Sequence, residues 1–244
     1  MRVIPLSEGA FTIDKTKRFV PFDTDRDDLQ QRPAGSLLVE IQPFAVITTD
    51  DVIVIDTGLG FRKDGKLQIH DNLERAGLDP AKVSKVLLSH LHKDHAGGIC
   101  PEGRMSFPGA RFFVQRRELE YAYEKGPTSY LTEELECLKT SPQVTFLDGD
   151  GVLDGYIRYR VTGAHSPWHQ VFWIVDGGET VFFGGDVAPQ LHQMKSRFVA
   201  KYDYDGKRAM ELRQEWWQQG QAEGWTFLFY HDVRTPVWPL PAGR

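Results

Sequence analysis

Apolar positions along this chain come in short, strand-length runs separated by stretches with helical spacing, and both kinds occur in each half. Ser36 to Thr57 is rich in Val and Ile and holds Thr49-Asp50-Asp51 near its middle. That reads as two strands joined by a tight turn, the second being Val52-Ile53-Val54-Ile55. Leu67 to Ala76 predicts a short helix stopped at Gly77. Val83 to Leu88 and Phe112-Phe113-Val114 have strand length. Glu118 to Lys139 carries helical pattern interrupted at Gly126-Pro127. Tyr156 to Thr162 alternates like a strand. Val171 to Val175 and Thr180 to Phe183 flank Asp176-Gly177-Gly178-Glu179, the signature of a hairpin. Asp205 is placed to cap a helix from about Lys207 to Gln219, with Trp216 and Trp217 in it and at least one of them packed, and Thr226 to Phe229 forms a last strand. The expected architecture is α/β, two mixed β-sheets packed face to face with helices on their outer faces, an αββα sandwich in a single domain over residues 1–244. Periodicity alone does not separate it from other mixed folds.

Composition narrows the function classes. With 244 residues, 41% hydrophobic and 26% charged, the chain is long enough for a buried core and too apolar for disorder. Its net charge is -5 and it has no basic run, so no nucleic-acid footprint is expected. No apolar stretch approaches the roughly 20 residues of a membrane helix, and the start shows no signal-peptide pattern. Cys100 and Cys137 are the only cysteines and are read as reduced, structural thiols, with the cytoplasm as the expected compartment.

The chemistry concentrates in Ser89-His90-Leu91-His92-Lys93-Asp94-His95-Ala96-Gly97-Gly98, directly after the apolar strand that ends at Leu88. His90 and His92, two apart on extended chain, point to one side. Asp94 and His95 follow where the chain enters a helix. Neutral imidazoles beside a carboxylate are the ligand set that suits zinc, iron or manganese, and four such groups within six residues exceed what packing requires.

This segment resembles the H-x-H-x-D-H motif of the metallo-β-lactamase superfamily. The likeness continues in family order across residues 37 to 232. Ile55-Asp56-Thr57-Gly58 is similar to the strand-ending D-T-G, and Gly163-Ala164-His165-Ser166-Pro167-Trp168-His169 to the G-H-T-P-G-H segment. Phe183-Gly184-Gly185-Asp186 is similar to the bridging-aspartate segment, and Tyr230-His231-Asp232 to the last histidine. The resemblance implies the four-layer metallo-β-lactamase fold and two divalent metal ions, zinc by default with iron or manganese open. His90, His92 and His165 would hold the first metal and Asp94, His95 and His231 the second. Asp186 would bridge both together with a water or hydroxide, which makes Asp94 and Asp186 the catalytic carboxylates. It implies a hydrolase acting on an ester, lactone or related bond of a small molecule, nearest to the lactonase and organophosphate-hydrolase branches. The alternatives are an iron-dependent oxidoreductase of the same superfamily or a nucleic-acid-processing hydrolase.

Five further positions carry readings. Asp56 either accepts a hydrogen bond from a ligand histidine or is satisfied by turn N–H groups. His169 occupies the second histidine position of its segment, supporting the ligands from behind. Trp168 replaces the family's small glycine and either fills core or walls the substrate pocket; its loop position favours the pocket. His70 is expected to face solvent and His192 to border the site. Acyl-homoserine lactonases commonly carry a tyrosine shortly after the bridging aspartate, whereas here Val187-Ala188-Pro189 follows and the next tyrosine is Tyr202.

Overall fold

The computed structural model describes residues 1–239. Its centre is set by strands whose neighbouring residues are buried on opposite faces. In Val52–Ile55, Ile53 and Ile55 enter one apolar cluster while Val54 enters another; in Glu179–Phe183, Val181 and Phe183 face one way and Phe182 the other. A side-chain period of two forces that division, and burial on both faces explains why these strands are apolar throughout.

One six-stranded sheet runs Arg2–Pro5, Phe44–Ile47, Val52–Ile55, Lys85–Leu87, Arg111–Gln115, Val144–Leu147. The other runs Gly151–Leu153, Ile157–Val161, Gln170–Asp176, Glu179–Phe183, Thr226–Leu228, Val237–Pro239. Both mix parallel and antiparallel pairs. Phe44, Ile53, Phe172 and Phe183 fill the space between the sheets. Outside the first sheet lie the helices Gln68–Arg75 and Arg116–Lys125, which contribute Ile69, Leu73 and Leu119. Outside the second lies Gly206–Glu223, which contributes Ala209, Leu212 and Trp216; Trp217 packs only partly against the same cluster. These are the four layers of the αββα sandwich.

Local signals hold where expected. Asp205 Oδ1 accepts from Arg208 N at 3.0 Å and starts the long helix. Gly177 and Gly178 both take positive φ, which the two-residue hairpin turn requires. Three expectations need correction. The two strands read over 36–57 are three: Leu37–Ile41, Phe44–Ile47 and Val52–Ile55. Pro43 has no N–H to continue a ladder, and Leu37–Ile41 leaves to pair with Gly9–Ile13 in a separate three-stranded sheet. Cys100 and Cys137, expected as separate thiols, form a disulfide with Cα atoms 6.0 Å apart, which joins the loop after the histidine motif to the helix Glu136–Thr140. His70 does not face solvent; it is half-buried against the Phe107 ring, with centroids 5.1 Å apart. Among the described residues no helix is long and apolar enough to cross a membrane.

The N-terminal segment also buries a carboxylate. Glu8 is 5% exposed; Oε2 accepts from Leu59 N at 2.7 Å, while Oε1 has no partner. Burial pushes its carboxyl up to about 7 against the single bond that lowers it. Because the folded-state value is raised, the fold holds this proton more tightly than the unfolded chain does. The stability gained below about 4.5 is therefore lost as pH rises through about 7. Glu8→Gln should flatten this slope and raise stability at pH 8 by about 1–2 kcal/mol. Thermal melts of both proteins at pH 5.5 and pH 8 test it, and equal pH slopes would refute it.

Candidate metal centre

At the ends of the central strands the chain turns out of both sheets, and the polar residues named from sequence gather there. Lys85–Leu87 delivers Ser89 to His92, and the one-turn helix Lys93–Ala96 follows. Gly98 allows the turn after Ile55 to approach, since a Cβ there would lie 2.2 Å from the Thr57 carbonyl oxygen. Thr57 N donates to His95 O at 2.7 Å and closes the same contact.

Two groups of donor atoms converge. His90, His92, His165 and Asp186 form one; Asp94, His95 and His231 form the other; within each, the atoms lie within 4.8 Å of one another. His92 Nδ1 is 2.9 Å from His90 Nε2 and 3.1 Å from His165 Nε2. Asp186 spans the two groups. Its Oδ1 is 3.0 Å from both His95 Nε2 and His231 Nε2, and its Oδ2 is 3.2 Å from His165 Nε2. Asp94 Oδ2 is 3.5 Å from His231 Nε2 and 3.7 Å from His95 Nε2.

What lies behind the rings fixes which nitrogen faces inward. His95 Nδ1 donates to Asp56 Oδ2 at 2.8 Å, His165 Nδ1 to Asp203 Oδ1 at 2.9 Å, and His231 Nδ1 to the Glu40 carbonyl at 2.7 Å. Ser89 Oγ donates to Asp56 Oδ2, which leaves it free to accept from His90 Nδ1 at 3.0 Å. In each of these four rings the outer nitrogen carries the proton, so the inner Nε2 presents a lone pair, while His92 turns Nδ1 inward. Burial holds His90 and His92 well below the usual imidazole range, in the neutral, ligating form. Burial opposes charge on His95 and His231 too, but the Asp186 and Asp94 carboxylates outweigh it and raise both. The field that draws a proton onto these rings is one that favours a cation.

A metal fits this donor set. His95 Nε2 and Asp186 Oδ1 are both buried and neither makes a hydrogen bond, although they are only 3.0 Å apart. Two polar atoms held that close without hydrogen-bond alignment are aimed at a common third point. Five imidazole nitrogens with two carboxylates are ligands for zinc, iron or manganese.

The remaining sequence candidates fall around this centre. Asp56 is fully buried behind His95. His169 stands apart from the convergent atoms; its Nε2 accepts from the Asp186 backbone N–H at 3.2 Å and so holds the bridging position. That contact needs Gly185 (φ 49°), where a Cβ would lie 2.5 Å from His169 Nε2. Trp168 is half-buried under the Arg117 guanidinium, 4.7 Å from its ring centre, and does not line the cleft above the donors. His192, expected to border the site, is exposed on the short helix Leu191–Met194 and is not among the lining residues either.

Sequence reasoning did not find several contributors. Asp203 supports His165 from a loop with no periodic pattern. Glu118, fully buried, accepts from Leu91 N at 3.2 Å and Ser166 Oγ at 2.8 Å, tying the two histidine loops together; burial pushes its carboxyl up to about 7. Tyr230 stacks on His95 with centroids 4.0 Å apart and donates to the Asp94 carbonyl at 2.6 Å. Only Tyr230 had a sequence signal, its place beside His231.

A four-layer sandwich that gathers five imidazoles and two carboxylates at the floor of one cleft defines a metal-site scaffold. The chain belongs to the metallo-beta-lactamase superfamily, whose sequence profile matches residues 39–231. The N-acyl homoserine lactonase AttM of Agrobacterium fabrum is 36% identical over 113 residues, 43% of this chain and 40% of the relative. The N-acyl homoserine lactonase AiiA of Bacillus thuringiensis subsp. kurstaki is 31% identical over 162 residues, 58% of this chain and 61% of the relative. The matched regions thus span about two fifths to three fifths of these relatives' length. AidC, a dizinc quorum-quenching lactonase solved with a product, has the same fold at a TM-score of 0.73 and 19% identity, covering 97% of this chain and 89% of that one.

Proposed function

We propose that this protein is a metal-dependent hydrolase that holds two metal ions, zinc by default, and cleaves a lactone or related ester of a small molecule. The observation that carries this is Asp186, whose two oxygens face separate histidine groups at 3.0–3.2 Å. His90, His92 and His165 would hold one ion, Asp94, His95 and His231 the other, and Asp186 both. When bound, two such cations lower the pKa of water and stabilise negative charge developing on the scissile carbonyl. Hydrolysis adds water across the acyl C–O bond, giving a carboxylate and an alcohol. The chain's own part is orientation and proton handling. Asp56, Asp203 and the Glu40 carbonyl keep the outer protons on His95, His165 and His231. The Asp94 carboxylate, open to the cleft, takes the proton from the attacking water and returns it to the leaving oxygen. Tyr202 lines the cleft with its ring 6.2 Å from that of His165 and orients the substrate carbonyl, supplying from a separate loop what lactonases place just after the aspartate. The AttM and AiiA likeness supports a lactone as the first substrate to try.

Elemental analysis of protein purified without chelators should show about two metal ions per chain. A panel of lactones, thioesters, phosphotriesters and β-lactams should show turnover on lactones or esters. A reproducible single metal that reconstitution cannot raise sinks the dinuclear reading, and a metal-replete protein inert on the whole panel sinks the hydrolase.

A further inference from the structure

The cleft above the donor atoms has a volume of about 1010 Å³ and is lined by charges of both signs. The protein is acidic overall, at -5, yet five lysines line this one cleft: Lys15, Lys17, Lys93, Lys125 and Lys201. They come from four separate parts of the fold. Lys15 and Lys17 sit in the turn between Gly9–Ile13 and Phe19–Pro21, Lys93 in the histidine motif and Lys125 at the end of Arg116–Lys125. Lys201 lies in the loop that carries Asp203. The turn is held over the motif by Lys93 Nζ, which donates to the Lys17 carbonyl and lies 5.7 Å over the Phe19 ring.

Lys15 and Lys93 act on the neighbouring Asp14 and Asp94 only through space, and the cleft's acids make their close contacts elsewhere. The carboxylates lining it are Asp14, Asp94, Asp186 and Asp203. Asp186 and Asp203 are turned to histidine nitrogens, Asp94 faces His231, and Asp14 accepts from Thr16 N and Oγ1. Among the described residues Lys15, Lys17, Lys93 and Lys201 form no ion pair, and Lys125 meets only its neighbour Glu124. The same cleft is also lined by apolar side chains, among them Phe19, Leu37 and Val199. A wholly neutral substrate uses these side chains and leaves the lysines without a partner. Lysines left without a carboxylate partner at a cleft mouth attract ligands of the opposite charge.

We propose, building on the hydrolase reading above, that the physiological substrate carries a second, anionic group besides its scissile lactone or ester. That group is a carboxylate, sulfonate or phosphate, separated from the scissile carbonyl by an apolar span. The apolar side chains take the span, and Lys15, Lys17 and Lys201 take the charge.

The test compares two substrates that differ in one charge: N-hexanoyl homoserine lactone and the same lactone acylated with adipic acid, whose chain ends in a free carboxylate. The metal-loaded protein should show a KM at least about fivefold lower for the adipoyl substrate at low salt. The ratio should approach one in about 0.5 M salt and in the Lys15→Gln/Lys17→Gln/Lys201→Gln variant, with both substrates measured on each protein. Equal KM values on the wild-type protein overturn the proposal and leave the hydrolase reading standing. If neither lactone turns over, the hydrolase reading fails in its lactone form. Calorimetric binding of the two ring-opened acids then still decides the charge preference. Tighter binding of the adipoyl acid, abolished by the triple substitution, supports the anionic subsite; equal binding rejects it.

Discussion

Asp186→Ala should leave a folded protein that holds no more than about one metal ion per chain. Its kcat/KM on any substrate the wild type accepts should be reduced by about a thousandfold or more. The expectation follows from the two faces of one carboxylate. Oδ1 is 3.0 Å from the inward nitrogens of His95 and His231, and Oδ2 is 3.2 Å from that of His165. Removing both oxygens takes a donor from each group at once. It would also remove a negative charge shared by two cations that would otherwise repel one another. Charge stabilisation by metal ions is worth several kcal/mol in such reactions, and about 4 kcal/mol corresponds to a thousandfold in rate. Folding should survive because Asp186 is held by its backbone N–H through His169, which alanine preserves. Metal analysis, circular dichroism and kinetics on one preparation decide it. Retention of two ions with turnover within tenfold of wild type would show that Asp186 is not shared between the metals.

Asp56→Ala should be the most destabilising single change at the site, costing about 3–5 kcal/mol. The Asp56 carboxylate is fully buried and accepts from Ser89 N and Ser89 Oγ at 2.7 Å and from His95 Nδ1 at 2.8 Å. Alanine leaves those donors unsatisfied in a closed interior. It also places a residue without a local side-chain hydrogen bond at φ 56°, a left-handed conformation that aspartate tolerates better. His95 then loses the partner that sets its tautomer, so metal affinity should fall by a further 10- to 100-fold. Chemical denaturation of the metal-stripped protein isolates the first effect, and metal titration of the folded fraction isolates the second. If the stripped variant is as stable as the stripped wild type, the carboxylate is not the buried anchor described here.

Local spacing determined much of this protein. The cluster from His90 to His95 was legible because ligands two residues apart on extended chain, followed by a turn into helix, must lie close together whatever the rest of the fold does. The strand Val52–Ile55, the Gly177-Gly178 turn and the Asp205 cap are of the same kind, set by neighbours within a few residues. The order of motifs from Asp56 to His231 located the distant members, and the structure brings all seven expected donor residues to one place. Tertiary structure alone decided what has no local signature. Asp203 supports His165 and Glu118 ties Leu91 to Ser166 across separations no periodicity reports. The pairing of Cys100 with Cys137, the departure of Leu37–Ile41 to a third sheet and the position of Trp168 beneath Arg117 are likewise decided by which surfaces the packed sheets bring together. The lysine rim is the clearest case. Its members are scattered between residues 15 and 201 and look like ordinary solvated charges in sequence, because charge density in a cleft depends on where loops meet after the two sheets have closed over the core.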